Sequence, residues 1–76
     1  MVDVNEKKIL QAFGSNVRVL RHELKISQEE LAFQANLDRS YLNDIEKGKR
    51  NISLISIIKI ATALKVDIAK LYDGIC

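Results

Sequence analysis

This chain contains no proline and only three glycines in 76 residues. Long linkers and β-hairpin turns draw heavily on those two residue types, so little of the chain is available for either. A single cysteine, Cys76 at the last position, excludes an internal disulfide and any metal site built on cysteines. It reads as a free thiol at a frayed end. His22 is the only histidine and has no second imidazole with which to hold a metal, so it reads as a surface residue. Neither a metal nor a cofactor is expected. No apolar stretch is long enough to cross a bilayer. The opening MVDVNEKK lacks the apolar core and cleavage site of a secretion signal, which makes the cytoplasm the expected location. A Ser-His-acid set and a phosphate-cradling glycine loop are both missing. The carboxylates fall mostly at helix starts, where capping and the helix dipole explain them, so no enzyme is expected.

What is present is helical periodicity. Ile9, Leu10, Phe13, Val17, Leu20 and Leu24 recur at steps of three and four and predict a first helix from about Glu6 to Leu24. Gly14 and Ser15 interrupt it with poor helix formers, which permits a bend or close packing. Ser27 followed by Glu30 is a capping box that opens a second helix, ending near Ala35. Asn36 stands where the chain must reverse, and Asn tolerates the left-handed conformation better than any residue but Gly. Asp38 is placed to cap a third helix ending near Lys47, with Gly48 closing it. Ser53 opens a fourth, expected to bury Leu54, Ile57, Ile58, Ala61 and Leu64. Asp67 starts a short fifth helix running to about Tyr72, which Asp73 and Gly74 end. The β-branched run ISLISIIKI would also suit a buried strand. ATALK continues it with good helix formers, however, and a lone strand would have no partner here. The fold class is therefore all-α, five helices in one domain, with no repeat or domain boundary.

Between the second and third helices the apolar positions are those of two short helices crossing at a tight turn. Leu31, Ala32 and Ala35 give one buried face, and Leu37, Leu42 and Ile45 the other. This leaves Arg39, Ser40, Tyr41, Asn43 and Asp44 on the outward side of the third helix, a polar face with nothing obvious to bury it. The net charge of +2 would not by itself identify a nucleic-acid binder. The position of Lys47, Lys49 and Arg50, just after that polar helix, says more.

The pattern SQEELA, a small residue and a turn, a polar helix start, then IEKGKR, SL and IATALKV resembles the helix-turn-helix of the phage Cro and repressor family. It is similar also to the controller proteins of restriction-modification systems, through LDRSYLNDIEKGKRNISL. The resemblance covers roughly Val17 to Tyr72, with the motif at about residues 28–47. It implies a sequence-specific transcription regulator that binds double-stranded DNA, with the restriction-modification controllers the nearest match. A Cro-like phage regulator and the antitoxin of a toxin-antitoxin pair are the alternatives within the class. A module for protein contact alone would not need the basic rim.

If the third helix enters a major groove, its N-terminal residues meet base edges first. Arg39 offers a fork for guanine or for a phosphate, and Ser40 donates or accepts. Tyr41 can stack on a sugar or thymine methyl or bond a phosphate. Asn43 suits adenine, and Asp44 requires a cytosine amino group or a neighbouring cation. Gln28, at the first turn of the second helix, can join free backbone N–H groups in holding a phosphate. Lys47, Lys49, Arg50 and Asn51 match positions that grip the backbone in the resembling families. The resemblance also implies a structural ion pair between Arg21 and Glu46.

One recognition helix covers only a few base pairs, whereas a two-fold pair about 34 Å apart reads both halves of a palindromic operator. A homodimer is therefore expected. Its interface is expected after the motif, from Ile52, Ile55, Val66, Ile68, Leu71, Tyr72 and Ile75, because that segment holds more apolar residues than one small core should bury. The competing reading is that these residues complete the monomer core.

Overall fold

A computed structural model describes residues 5–75, so Cys76 lies outside the described residues. Within them the chain forms five helices and no strand: α1 (Glu6–Glu23), α2 (Gln28–Ala35), α3 (Arg39–Glu46), α4 (Leu54–Leu64) and α5 (Ile68–Leu71). No helix among them is long and apolar enough to cross a membrane.

Local chemistry sets most of the ends. The Asn5 side chain caps α1, and Ser27 Oγ accepts the Glu30 N–H at 3.0 Å to start α2. Glu30 does not complete the box in the form its sequence suggests, since its carboxylate accepts from Gln34 Nε2 at 3.4 Å. Asn36 has φ 55° and ψ 48°, the left-handed turn between α2 and α3. Asp38 has the extended backbone of a cap residue but makes no side-chain cap bond, and Asp67 before α5 behaves the same way. Gly48, at φ 71°, follows α3. Ser53 Oγ accepts from Ser56 N at 3.1 Å and opens α4.

α1 packs across α3, and Gly14 is the point of closest approach. A Cβ there would run into the Ile45 carbonyl oxygen and lie 2.6 Å from that of Glu46, so only glycine fits. α2 packs on both α3 and α4. The fully buried side chains Val17, Leu31, Leu42, Ile45, Ile60, Leu64 and Leu71 come from every helix, which ties all five to one core.

Of the five residues expected on the buried face of α4, Ile57, Ala61 and Leu64 are buried and Leu54 and Ile58 are not. Leu54 and Ile58 are 65% and 42% exposed, while Ser56, Ile57, Ile60, Ala61, Ala63 and Leu64 turn inward. In a run where almost every position is apolar, periodicity does not select a face; contact with α2 and α5 does. Burying Ser56 is tolerable because its hydroxyl bonds Ser53 Oγ at 2.9 Å.

α5 is fastened to α1 by Asn16, whose Nδ2 donates to the carbonyls of Leu71 and Asp73, both at 2.9 Å. The Tyr72 ring lies 5.9 Å from that of Phe13, tilted by 44°. Leu71 is wholly inaccessible, which corrects its assignment to a dimer interface: it belongs to the monomer core and has no surface to offer a partner. Ile52, Val66, Ile68 and Ile75 are partly buried against the same core.

Candidate nucleic-acid interface

α3 turns Leu42, Ile45 and Glu46 inward and leaves two polar rows facing out. Arg39 with Asn43, and Ser40 with Asp44, are four residues apart and so lie one above the other on adjacent rows. Arg39 and Ser40 are exposed, and Asn43 and Asp44 half-buried. Arg39, Ser40 and Asn43 line a shallow depression of about 330 Å³ together with Gln28. Three of the five residues expected to meet bases are thus gathered at one place.

Tyr41 is not among them. It faces the loop between α3 and α4, where its hydroxyl accepts from Ser53 N at 3.4 Å. The Arg50 guanidinium stands 5.0 Å from the centre of its ring. Partial burial pushes the Tyr41 phenol up. Hydrogen bonds from the Ser56 hydroxyl and the Ser53 backbone and hydroxyl, with the Arg50 charge, outweigh that and hold it below the usual 10.0.

The rows are braced from beneath. Arg21 Nε donates to Glu46 Oε2 at 2.8 Å and Nη2 to Oε1 at 3.0 Å, a two-point ion pair whose side chains are only 11% and 2% exposed. The remaining Arg21 nitrogen donates to the Ile26 carbonyl at 3.0 Å and holds the turn before α2. Gln28 Nε2 then donates to Glu46 Oε1 at 3.1 Å and to Asn43 Oδ1 at 3.3 Å. A chain of hydrogen bonds therefore runs from α1 through the base of α3 and the start of α2 to Asn43 on the outer face. It commits the Gln28 amide inward, so anion binding at the α2 N-terminus is left to backbone N–H groups.

Lys47, Lys49, Arg50 and Asn51 are all exposed beyond the end of α3 and form the basic rim. Two cations near the rows already have partners: Arg39 with Glu29 at 3.6 Å and Arg50 with Asp44 at 3.8 Å. Both pairs are largely solvated, which leaves either arginine free to exchange its partner at little cost. Neither pairing, nor the Tyr41–Arg50 stack, has a signal in the linear sequence, because each joins residues across a turn whose path the composition does not specify.

Apolar side chains are exposed elsewhere: Leu54, Ile55 and Ile58 of α4 are 65%, 61% and 42% exposed, and Tyr72, at the end of α5, is 43% exposed. Among the described residues there is no group of three side chains suited to holding a metal.

A model of helix-turn-helix proteins matches residues 17–71. Control protein C.MunI of a Mycoplasma species is 41% identical over 95% of this chain and 96% of its own. The crystal structure of the restriction-modification controller protein C.AhdI from Aeromonas hydrophila superposes with a TM-score of 0.82 at 48% identity, covering 83% of this chain and 96% of that one. The controller protein C.Esp1396I, a tetramer in complex with its natural 35 base-pair operator, superposes with a TM-score of 0.79 at 30% identity over 88% of each chain. With an uncovered polar helix braced over a shared core and relatives matched along nearly their whole length, this chain belongs to the helix-turn-helix family of restriction-modification control proteins, a family of regulators and not of enzymes.

Proposed function

We propose that this chain is a cytoplasmic transcription regulator, the controller of a restriction-modification system, and that it binds a palindromic double-stranded operator as a homodimer with the whole chain acting as one DNA-binding unit. The observation that carries the reading is the arrangement of α3. Its polar rows are uncovered, fixed by the Arg21–Glu46–Gln28–Asn43 chain, and followed directly by four exposed polar or basic residues. A rigid presented helix suits base readout in a major groove, and the exposed basic rim suits phosphate.

In this reading Arg39, Ser40 and Asn43 read base edges, with Asn43 held by Gln28 through Oδ1, which leaves its Nδ2 to donate to a base. Lys47, Lys49, Arg50 and Asn51 grip the backbone beside them, and the α2 N-terminus holds a phosphate on the other flank through backbone N–H groups. Tyr41 supports the rim through Arg50. The dimer surface is the apolar row Leu54, Ile55 and Ile58 of α4 with Tyr72. The test is selection from a random duplex library by the purified protein, followed by sedimentation with the enriched site. Enrichment of an inverted repeat bound by two chains supports the reading. No enrichment, or binding insensitive to salt, would sink it.

A further inference from the structure

Asp44 is the one carboxylate on the presented rows of α3, at a place where a phosphate backbone would repel it. Its side chain is 39% exposed and lies 3.8 Å from Arg50 Nη1, whose own side chain is 54% exposed. The same guanidinium stands over the Tyr41 ring at 5.0 Å. The Tyr41 hydroxyl in turn accepts from the backbone of Ser53, so the stack is anchored to the start of α4. Arg50 is therefore held in the free protein between an aromatic face and a carboxylate. Of the basic residues on the rim, it is the one found in an ion pair among the described residues.

We propose that Asp44 is a specificity-determining residue that penalises non-cognate DNA by its hold on Arg50. The inference rests on the DNA-binding reading of α3. When Arg50 moves to a phosphate, Asp44 loses its counter-charge and is left facing a polyanion. On a random duplex nothing replaces that counter-charge. On a cognate duplex an exocyclic amino group of cytosine, presented in the major groove beside Ser40 and Asp44, donates to the carboxylate and restores it. Sequence is thereby read as a penalty removed as well as a bond gained. Ser40, on the same row, is neutral and cannot act in this way. Tyr41 is a positioning residue, since the stack keeps Arg50 within reach of both acceptors.

The magnitude follows from counterion release. While Asp44 holds Arg50, about one phosphate contact is withheld from the DNA, and each contact contributes about 0.9 to the slope of log K against log salt. Asp44→Asn should therefore tighten binding to random duplex about three- to tenfold near 0.1 M salt and steepen the slope by up to about one. It should leave operator affinity unchanged or weaker, so that the ratio of operator to random binding falls by at least about three- to tenfold.

The experiment is fluorescence anisotropy of wild type, Asp44→Asn, Arg50→Ala and the double variant on a random-sequence duplex and on the site enriched by wild type, each at several salt concentrations. Expected is a gain on random duplex from Asp44→Asn that shrinks by at least half when Arg50 is already alanine, because the hold on Arg50 is then gone. Repeating the selection with Asp44→Asn should lose preference at one C·G pair in each half-site. An equal gain in both backgrounds would show that Asp44 acts by its own charge and overturn the role of Arg50. A ratio unaltered by Asp44→Asn, in a protein whose wild type does enrich a site, would overturn the proposal while leaving the DNA-binding reading intact. Failure of wild type to enrich any site would remove both.

Discussion

In the proposed reading Arg39 is the side chain on which base discrimination rests most directly, and its surroundings say how it can move. Its partner Glu29 is 3.6 Å away, and both side chains are mostly in solvent, so the pair contributes little stability and releases the guanidinium readily. Arg39→Ala should cost about 1–3 kcal/mol on the selected site and relax preference at one base position. Binding titrations on that site and on random duplex check this, and an equal loss on both would make Arg39 a phosphate contact. Tyr41 gives a pH signature of its own. Partial burial raises its phenol, but the Ser56 and Ser53 hydrogen bonds and Arg50 lower it further than burial raises it. The folded protein therefore releases this proton before the unfolded chain does. At neutral pH both forms are protonated and the difference contributes nothing. Stability is gained as pH rises through the folded value, is complete above about 10, and is lost again as pH falls back. Absorbance titration near 295 nm should show an early-ionising tyrosine that disappears in Tyr41→Phe and persists in Tyr72→Phe.

At the scale of the helices, the angle of α3 is set by two contacts with α1. The first is steric. Gly14→Ala would gain about 1 kcal/mol of helix propensity. It would also drive a methyl group into the carbonyls of Ile45 and Glu46, which are backbone and cannot rotate away. The clash should prevail, with a net loss of about 2–3 kcal/mol in a denaturant melt. The second contact is electrostatic. Glu46→Ala removes the acceptor for both Arg21 and Gln28, leaving a guanidinium that is nine-tenths buried with only the Ile26 carbonyl. Destabilisation of about 3–5 kcal/mol is expected, with the Arg21→Ala/Glu46→Ala double variant losing less than the sum of the two. A Glu46→Ala protein that melts like wild type yet fails to bind DNA would place Glu46 at the DNA surface instead. The pair itself was suggested by resemblance, since 25 residues of separation carry no periodic signal; its extension through Gln28 to Asn43 was not foreseen.

For the molecule as a whole, assembly is the property on which operator reading depends. Leu71 sits in the core and Ile55 outside it, so charging the two should have different consequences. Ile55→Glu should yield a helical monomer whose operator affinity falls about a hundredfold or more as the second half-site is lost. Leu71→Glu should unfold the chain, because an unpaired carboxylate would have to enter a fully enclosed apolar site. Sedimentation and circular dichroism on the same samples separate the outcomes, and a folded Ile55→Glu dimer would move the interface off α4.

What the sequence determined by itself was the local part: the helices and their limits within about a residue, the Ser27 and Ser53 caps, the left-handed turn at Asn36, and the placing of polar residues at the start of α3. These follow from interactions spanning four residues or fewer, which the order of residues states directly. The inward face of α4, the enclosure of Leu71 and the turning of Tyr41 toward the loop were decided only in the tertiary structure. In an Ile-rich segment every rotation buries comparable apolar area, so the choice falls to the shape of the neighbouring helices. Asn16 closing α5 onto α1, and Arg50 settling between Tyr41 and Asp44, depend likewise on where separate elements meet.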